Sequence, residues 1–166
     1  MSSYSKISIY IDSANLHKSA KDLGFQIDYR IFRIWLSQKY NINGFYLFMG
    51  YIEQNAKTYE YLIDCGFKII FKKTLYIGSD TKGNCDAELV LKIVSDFYEK
   101  SYNKCYLVTG DGDFGCVVEF LQNKGVFDTL ISPDERKCSL LLKNKNIEID
   151  FLDRHYSKFS RKLPEN

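Results

Sequence analysis

The stretch YLVTGDGDFG, from Tyr106 to Gly115, decides how the rest of the sequence is interpreted. An apolar run ends at Thr109, and two aspartates, Asp111 and Asp113, follow one residue apart between glycines. This pattern predicts a buried strand that passes into a helix through a tight turn. Two carboxylates so close together repel each other unless a positive charge lies between them. The stretch therefore raises the question of whether a cation binds at this strand end.

Strand-like and helix-like segments alternate on both sides of this stretch. The predicted strands cover 6–11, 45–52, 67–77, 104–110, 126–132 and 147–152, and the predicted helices cover 13–24, 28–40, 54–66, 85–100, 113–125 and 134–144. Residues 78–84, GSDTKGN, are turn formers and predict a loop. The alternation predicts an α/β fold with three layers, α/β/α, around a mostly parallel central sheet.

The length of 166 residues fits one domain, which we assign to residues 1–152. Residues 153–166 form a basic tail, for which the sequence allows two predictions. The tail either frays, or it docks as a short helix with Leu152, Tyr156, Phe159 and Leu163 on one side.

Composition narrows the class of protein. No apolar run approaches the roughly 20 residues that a membrane span needs, and the N-terminus lacks the pattern of a secretion signal. The five cysteines are an odd number and form no CxxC pair, so we expect reduced thiols and a cytoplasmic location. The formal net charge of +2 argues neither for nor against nucleic acid.

Carboxylates fall where strands end. Asp12 closes the first predicted strand and Asp111 follows the strand that ends in VTG. Ligands of open α/β sheets bind beyond the carboxyl ends of the strands, so both carboxylates are expected at one edge of the sheet.

Two further aspartates begin helices on their apolar faces. Asp86 is in line with Val90, Ile93, Val94 and Phe97, and Asp113 stands above Val117, Phe120 and Leu121. A carboxylate on such a row is costly unless it is hydrogen-bonded or bound to a cation.

Each aspartate also has a simpler interpretation. Asp86 and Asp113 could be N-caps, and Asp12 an ordinary turn residue. Asn15, one turn into the first helix, could orient a carboxylate, a water or a phosphate, or only make a helix-start hydrogen bond. Four carboxylates from three separate junctions, without His or Cys companions, favour Mg²⁺ or Mn²⁺.

Three blocks carry a family resemblance. IYIDSANL (9–16), KGNCDAELVL (82–91) and YLVTGDGDFGCVVEFLQNKG (106–125) resemble the motif blocks of NYN-domain proteins, which belong to the PIN-like nuclease superfamily. SPDERKCSLLLK (132–143) resembles the late block of the family. Many members have one residue between KG and D, whereas this chain has Asn84 and Cys85.

The resemblance implies a PIN-like fold whose clustered aspartates hold divalent metal, Mg²⁺ or Mn²⁺, for hydrolysis of RNA phosphodiester bonds. By matching position, the implied catalytic residues are Asp12, Asn15, Asp86, Asp111 and Asp113, with the four aspartates as metal ligands. Lys82 and Ser139 match positions that we assign to substrate binding. The implied partner is single-stranded RNA, with no membrane.

Other functions stay open at this point. A non-catalytic RNA-binding or regulatory module would keep the same carboxylates, and a metal-free interaction protein would use them as caps and turns. A phosphatase of the haloacid dehalogenase type is disfavoured, because its DxD element follows the first strand, where this chain has DSAN. Pairing of the domain with itself, the RNA substrate and the choice between endo- and exonucleolytic cleavage are not decided by the sequence.

Overall fold

The computed structural model describes residues 4–73, 75–77, 80–82 and 84–165, with the backbone alone at residues 73, 75–77 and 80–82. The elements follow one another in the order β1 (Ile7–Asp12), α1 (Ser13–Asp22), β2 (Phe25–Ile27), α2 (Tyr29–Tyr40), β3 (Gly44–Tyr51), α3 (Ala56–Asp64), β4 (Lys68–Lys73), β5 (Leu75–Ile77), β6 (Asp80–Lys82), α4 (Asp86–Tyr98), β7 (Lys104–Val108), α5 (Gly115–Asn123), β8 (Phe127–Ser132), α6 (Leu140–Lys143), β9 (Glu148–Phe151) and β10 (Ser160–Lys162).

A sheet of six strands forms the middle layer, in the spatial order β4-β3-β1-β7-β8-β9. Every neighbouring pair in it is parallel. The strand β1 lies between β3 and β7, so the carboxyl ends of these three strands meet at one edge. The predicted three-layer α/β/α fold with a parallel central sheet is confirmed.

The two faces of the sheet carry separate apolar cores. On one face, side chains of α1, α2 and α3 such as Leu16, Phe32 and Leu62 pack against β1 and β3. On the other face, Leu89 of α4 and Val118 of α5 pack against β7 and β8. Alternate residues of each strand point to opposite faces, which is why one buried strand such as β1 contributes to both cores.

The basic tail docks on the first of these cores. Tyr156 and Phe159 are each 1% exposed, and β10 pairs antiparallel with β2. Two 3-10 turns, Leu152–Arg154 and Tyr156–Lys158, replace the short helix that was one of the predictions for this segment.

Two local predictions are wrong. Residues 80–82 form β6, which pairs antiparallel with β5 and places Tyr76 opposite Thr81, and both residue types favour strands. The helix predicted over 134–144 is confined to α6, whose N-cap is Ser139. At the start of the predicted helix, the Asp134 carboxylate accepts a hydrogen bond from the Arg136 amide at 2.9 Å. This local bond is an alternative to helical hydrogen bonding.

No helix in the described part of the chain combines the length and the apolar composition that a membrane crossing requires.

Candidate functional site

Thr109 connects the ends of the two central strands. Its hydroxyl donates to Asp12 Oδ2 at 2.9 Å and accepts from the backbone N–H of Asp111 at 3.1 Å. The side chain is fully buried. One hydroxyl group therefore links the Asp12 carboxylate to the backbone of Asp111.

Asn15 holds the same loop from the other side. Its side-chain oxygen accepts from the Gly110 backbone N–H at 2.9 Å, while its own backbone N–H donates to Asp12 Oδ1 at 3.2 Å. Asp12 is thus the N-cap of α1 and not an ordinary turn residue. Both of its carboxylate oxygens have hydrogen-bond partners within the protein, which fixes the orientation of the group.

The GDGDF turn is closed by its own aspartate. Asp111 Oδ1 accepts from the Asp113 backbone N–H at 2.9 Å, which caps a 3-10 turn over Gly112–Phe114. Any side chain at Gly112 would clash, because a Cβ there would lie 2.4 Å from Ser139 Oγ. The second glycine of the motif is therefore required by the close approach of α6.

Ser139 packs against this turn. Its hydroxyl accepts from the Leu141 backbone N–H at 3.2 Å as the N-cap of α6, and its backbone N–H donates to the Gly110 carbonyl at 2.9 Å. The structure places Ser139 beside the carboxylates. Its predicted contact with substrate stays a prediction.

Three carboxylates converge at this edge of the sheet. Asp86, Asp111 and Asp113 each offer an oxygen, and these three atoms lie within 4.8 Å of one another. Asp113 is exposed and the other two are partly buried. Asp86 and Asp113 do not act as N-caps, because α4 is preceded by Cys85 and α5 by Phe114 at the cap positions.

The unfavourable electrostatics of the cluster raise two pKa values. Burial raises the pKa of Asp86, and the negative charges of Asp12, Asp111 and Asp113 raise it further, while Lys72 opposes them weakly. Burial also raises the pKa of Asp12, against the hydrogen bonds from Asn15 and Thr109. In their charged form, these carboxylates would be stabilised by a bound cation.

The donor chemistry fits a hard divalent ion. Carboxylate oxygens are the ligands that Mg²⁺ and Mn²⁺ prefer, and the described residues add no histidine to the group. Burial raises the pKa of the neighbouring Cys85 above its ordinary value, and this thiol is not part of the group of three. Asp12 lies outside the group of three but close enough for its charge to act on Asp86.

Two contacts hold α4, the helix that begins at Asp86, and the segment before it. The Lys72 ammonium donates to the Asn84 carbonyl at 2.8 Å and so fixes the segment before α4. Further along α4, buried Asp96 accepts a hydrogen bond of 2.7 Å from the Tyr10 hydroxyl on β1. The predicted substrate contact of Lys82 cannot be placed, because its side chain lies outside the described residues.

Two cavities adjoin the carboxylates. The larger, about 890 Å³, is lined by Asp12, Asp86 and Asp111 and extends along α1. The smaller, about 490 Å³, lies beside Asp86 and Asp113 and is lined mainly by apolar residues of α4.

Sequence reasoning missed Thr109 and Tyr10. Both act through hydrogen bonds to residues distant in the sequence. Thr109 bonds to Asp12, 97 positions earlier, and Tyr10 bonds to Asp96, 86 positions later. The only local signal for Thr109 is a polar residue that ends an apolar strand directly before the aspartates.

The chain matches the family model described as NYN domain over residues 6–149. Among solved structures, it is similar to the crystal structure of a protein of unknown function from Vibrio parahaemolyticus, with a TM-score of 0.78 and 21% sequence identity. That likeness covers 97% of this chain and 100% of the other, and at this identity it shows the fold alone. A comparison with curated proteins gave no match.

Thr109→Val should destabilise the protein, because it leaves the Asp111 N–H and one Asp12 oxygen without their partner. We expect the free energy of unfolding in urea to fall by about 1–3 kcal/mol. Thr109→Ser keeps the hydroxyl and is the matched control. Equal stability of the Val and Ser variants would contradict the bridging role.

Asp86→Asn should stabilise the metal-free protein at neutral pH. An Asp whose pKa rises on folding contributes stability below its unfolded pKa and loses that contribution as pH rises through its folded pKa. Asparagine does not ionise, so the variant does not lose this stability as pH rises. We expect a melting temperature at pH 7 in EDTA that is roughly 1–4 °C above wild type.

The difference caused by Asp86→Asn should disappear as pH falls towards 3.8, the ordinary pKa of the group. Asp64→Asn, which changes an exposed carboxylate at the end of α3, is the control and should leave the melting temperature unchanged. A lower melting temperature of Asp86→Asn at pH 7 would show that the cluster is not under electrostatic strain.

Proposed function

The chain belongs to the NYN domain family, and from that premise we propose that it is a ribonuclease that depends on a divalent metal, Mg²⁺ or Mn²⁺. The NYN domain is part of a family of PIN-like nucleases, which supports a hydrolase acting on phosphodiester bonds. The observation that carries the proposal is the group of three carboxylates, Asp86, Asp111 and Asp113, at the carboxyl edge of the parallel sheet.

Each aspartate has a role in this proposal. Asp86, Asp111 and Asp113 would hold the metal, and Asp12 adds a fourth negative charge beside them. A bound divalent ion supplies a water of lowered pKa and positive charge for the phosphoryl oxygens.

The protein's own hydrogen bonds prepare this arrangement. Thr109 and Asn15 fix Asp12, Gly110 and Asp111 before any ligand arrives. Preorganised groups are effective because they need no rearrangement during the reaction. Asn15 also lines the larger cavity, and in this proposal its side-chain amide would contact a phosphate or a water there.

Asp111→Asn should abolish metal-dependent cleavage of RNA. We expect the rate on an end-labelled, unstructured RNA to fall by roughly 100-fold or more, because electrostatic stabilisation is usually the largest part of such catalysis. Reactions with Mg²⁺, Mn²⁺ or EDTA, resolved on a denaturing gel, measure the rate and the pattern of products.

The control is Asp64→Asn, which removes a carboxylate at the opposite edge of the sheet and should cleave like wild type. Cleavage that persists in EDTA, or that is equal in the two variants, would contradict the proposal. RNA that is bound and left intact by wild type would favour the non-catalytic RNA-binding module instead.

A further inference from the structure

The larger cavity is a groove with two chemically different ends. Asp12, Asp86 and Asp111 line one end, and Phe25, Gln26 and Leu163 line the other. We call it the α1–α3 groove, because residues of these two helices form its sides and the end of β3 forms its floor. The ten residues of α1 run from Asp12 towards β2, a length of about 15 Å.

The α1 side of the groove is basic. His17, Lys18 and Lys21 all line it, and their spacing of three and four residues places them on one face of the helix. Asp22, which follows, is bound by Lys137 at 2.6 Å. Lys18 and Lys21 are the charged residues of α1 among those that line the groove, so they give this side a net positive charge.

Positive charge continues at the far end. The Arg161 guanidinium donates to Gln26 Oε1 at 2.8 Å, and Lys162 pairs with Phe25 between β10 and β2. Among the described residues that line the groove, carboxylates occur only at the site end. The groove is therefore acidic at one end and basic along its α1 side.

The floor and the α3 side are apolar and aromatic. Met49, Ile52 and Tyr61 line them, together with the buried residues Tyr59 and Leu62. Tyr61 is 40% exposed, and the Arg30 guanidinium lies over its ring at 5.8 Å. Aromatic and apolar surface of this kind binds the faces of nucleobases without selecting a sequence. A volume of about 890 Å³ is at the upper end of ligand pockets.

We propose that the α1–α3 groove binds an unpaired segment of the RNA strand next to the bond that is cleaved, with its phosphates on Lys18 and Lys21 and its bases on the apolar floor. The proposal rests on the proposed function for the identity of the ligand. It adds where the RNA strand lies, on which side of the carboxylates it lies, and which residues hold it.

An unpaired strand fits this groove better than a duplex. Bases reach an apolar floor between two helices only when they are not stacked and paired with a second strand. Phosphates on the α1 side and bases on the α3 side match the distribution of charge across the groove. A strand held in this way continues directly to Asp12, Asp86 and Asp111.

The test compares two pairs of lysine substitutions in the Asp111→Asn background with Mg²⁺, so that the RNA stays intact. The pair Lys18→Gln with Lys21→Gln removes the two lysine charges on the α1 side of the groove. Lys100→Gln with Lys124→Gln removes two exposed lysines that follow α4 and α5, away from the site. Fluorescence anisotropy of a labelled, unstructured RNA gives the affinity across a salt series. The RNA has about 12 nucleotides, a length that matches the binding sites of small single-strand folds.

The groove pair should lower the slope of log affinity against log salt by about 1.4, because each phosphate contact on a single strand contributes about 0.7. At 50 mM salt its affinity should fall roughly tenfold or more, and the control pair should bind like the parent. The unpaired RNA should also bind more tightly than a duplex of the same sequence, although charge alone would favour the duplex.

Equal salt slopes for the two lysine pairs, or tighter binding of the duplex, would overturn the groove assignment. Cleavage by the proteins with Asp111 intact separates this failure from that of the proposed function. If cleavage needs metal while both lysine pairs bind alike, the nuclease stands and the groove assignment fails. If RNA binds through Lys18 and Lys21 without any cleavage, the groove assignment stands and the nuclease fails.

Discussion

The hydroxyl of Thr109 is the contact on which the geometry of the site depends. It joins Asp12 at the end of β1 to the backbone of Asp111 just beyond β7. The two strands are parallel neighbours in the middle of the sheet, so their carboxyl ends already lie side by side. The hydroxyl holds the Asp12 carboxylate against the backbone segment that carries Asp111. The remaining parts of the site, the capped turn over Gly112–Phe114 and the start of α4, are built around it.

The cluster of carboxylates lowers the stability of the protein alone and favours the binding of a cation. Burial and mutual repulsion raise the pKa values of Asp86 and Asp12, which means that folding works against their ionisation. The hydrogen bonds of Asn15, Thr109 and Tyr10 keep the carboxylates and α4 in place despite this repulsion. Strain of this kind is characteristic of functional sites, where the surrounding structure maintains a local arrangement that is not optimal for stability.

The sequence predicted the fold and the location of the site because both depend on local patterns. The alternation of strand and helix periods indicated the parallel sheet, and the positions of Asp12 and Asp111 at strand ends follow from that topology. The bridge made by Thr109, the pairing of β10 with β2 and the early turn at Asp134 depend on partners distant in sequence or on one side-chain hydrogen bond. Such contacts leave no periodic signal. The net charge of +2 was uninformative for a related reason, since it sums 23 basic and 21 acidic residues without regard to where they lie in the fold.

The central claim is that a divalent cation binds among Asp86, Asp111 and Asp113. The most direct test is a titration of Mn²⁺ into the isotope-labelled protein, followed by NMR, because the paramagnetic ion broadens the signals of nearby amides. We expect broadening first at the amides of Gly110–Phe114 and Cys85–Ala87, and its loss in Asp111→Asn. Broadening that begins at other carboxylates, or that is unchanged in Asp111→Asn, would show that the cation does not bind among these three aspartates.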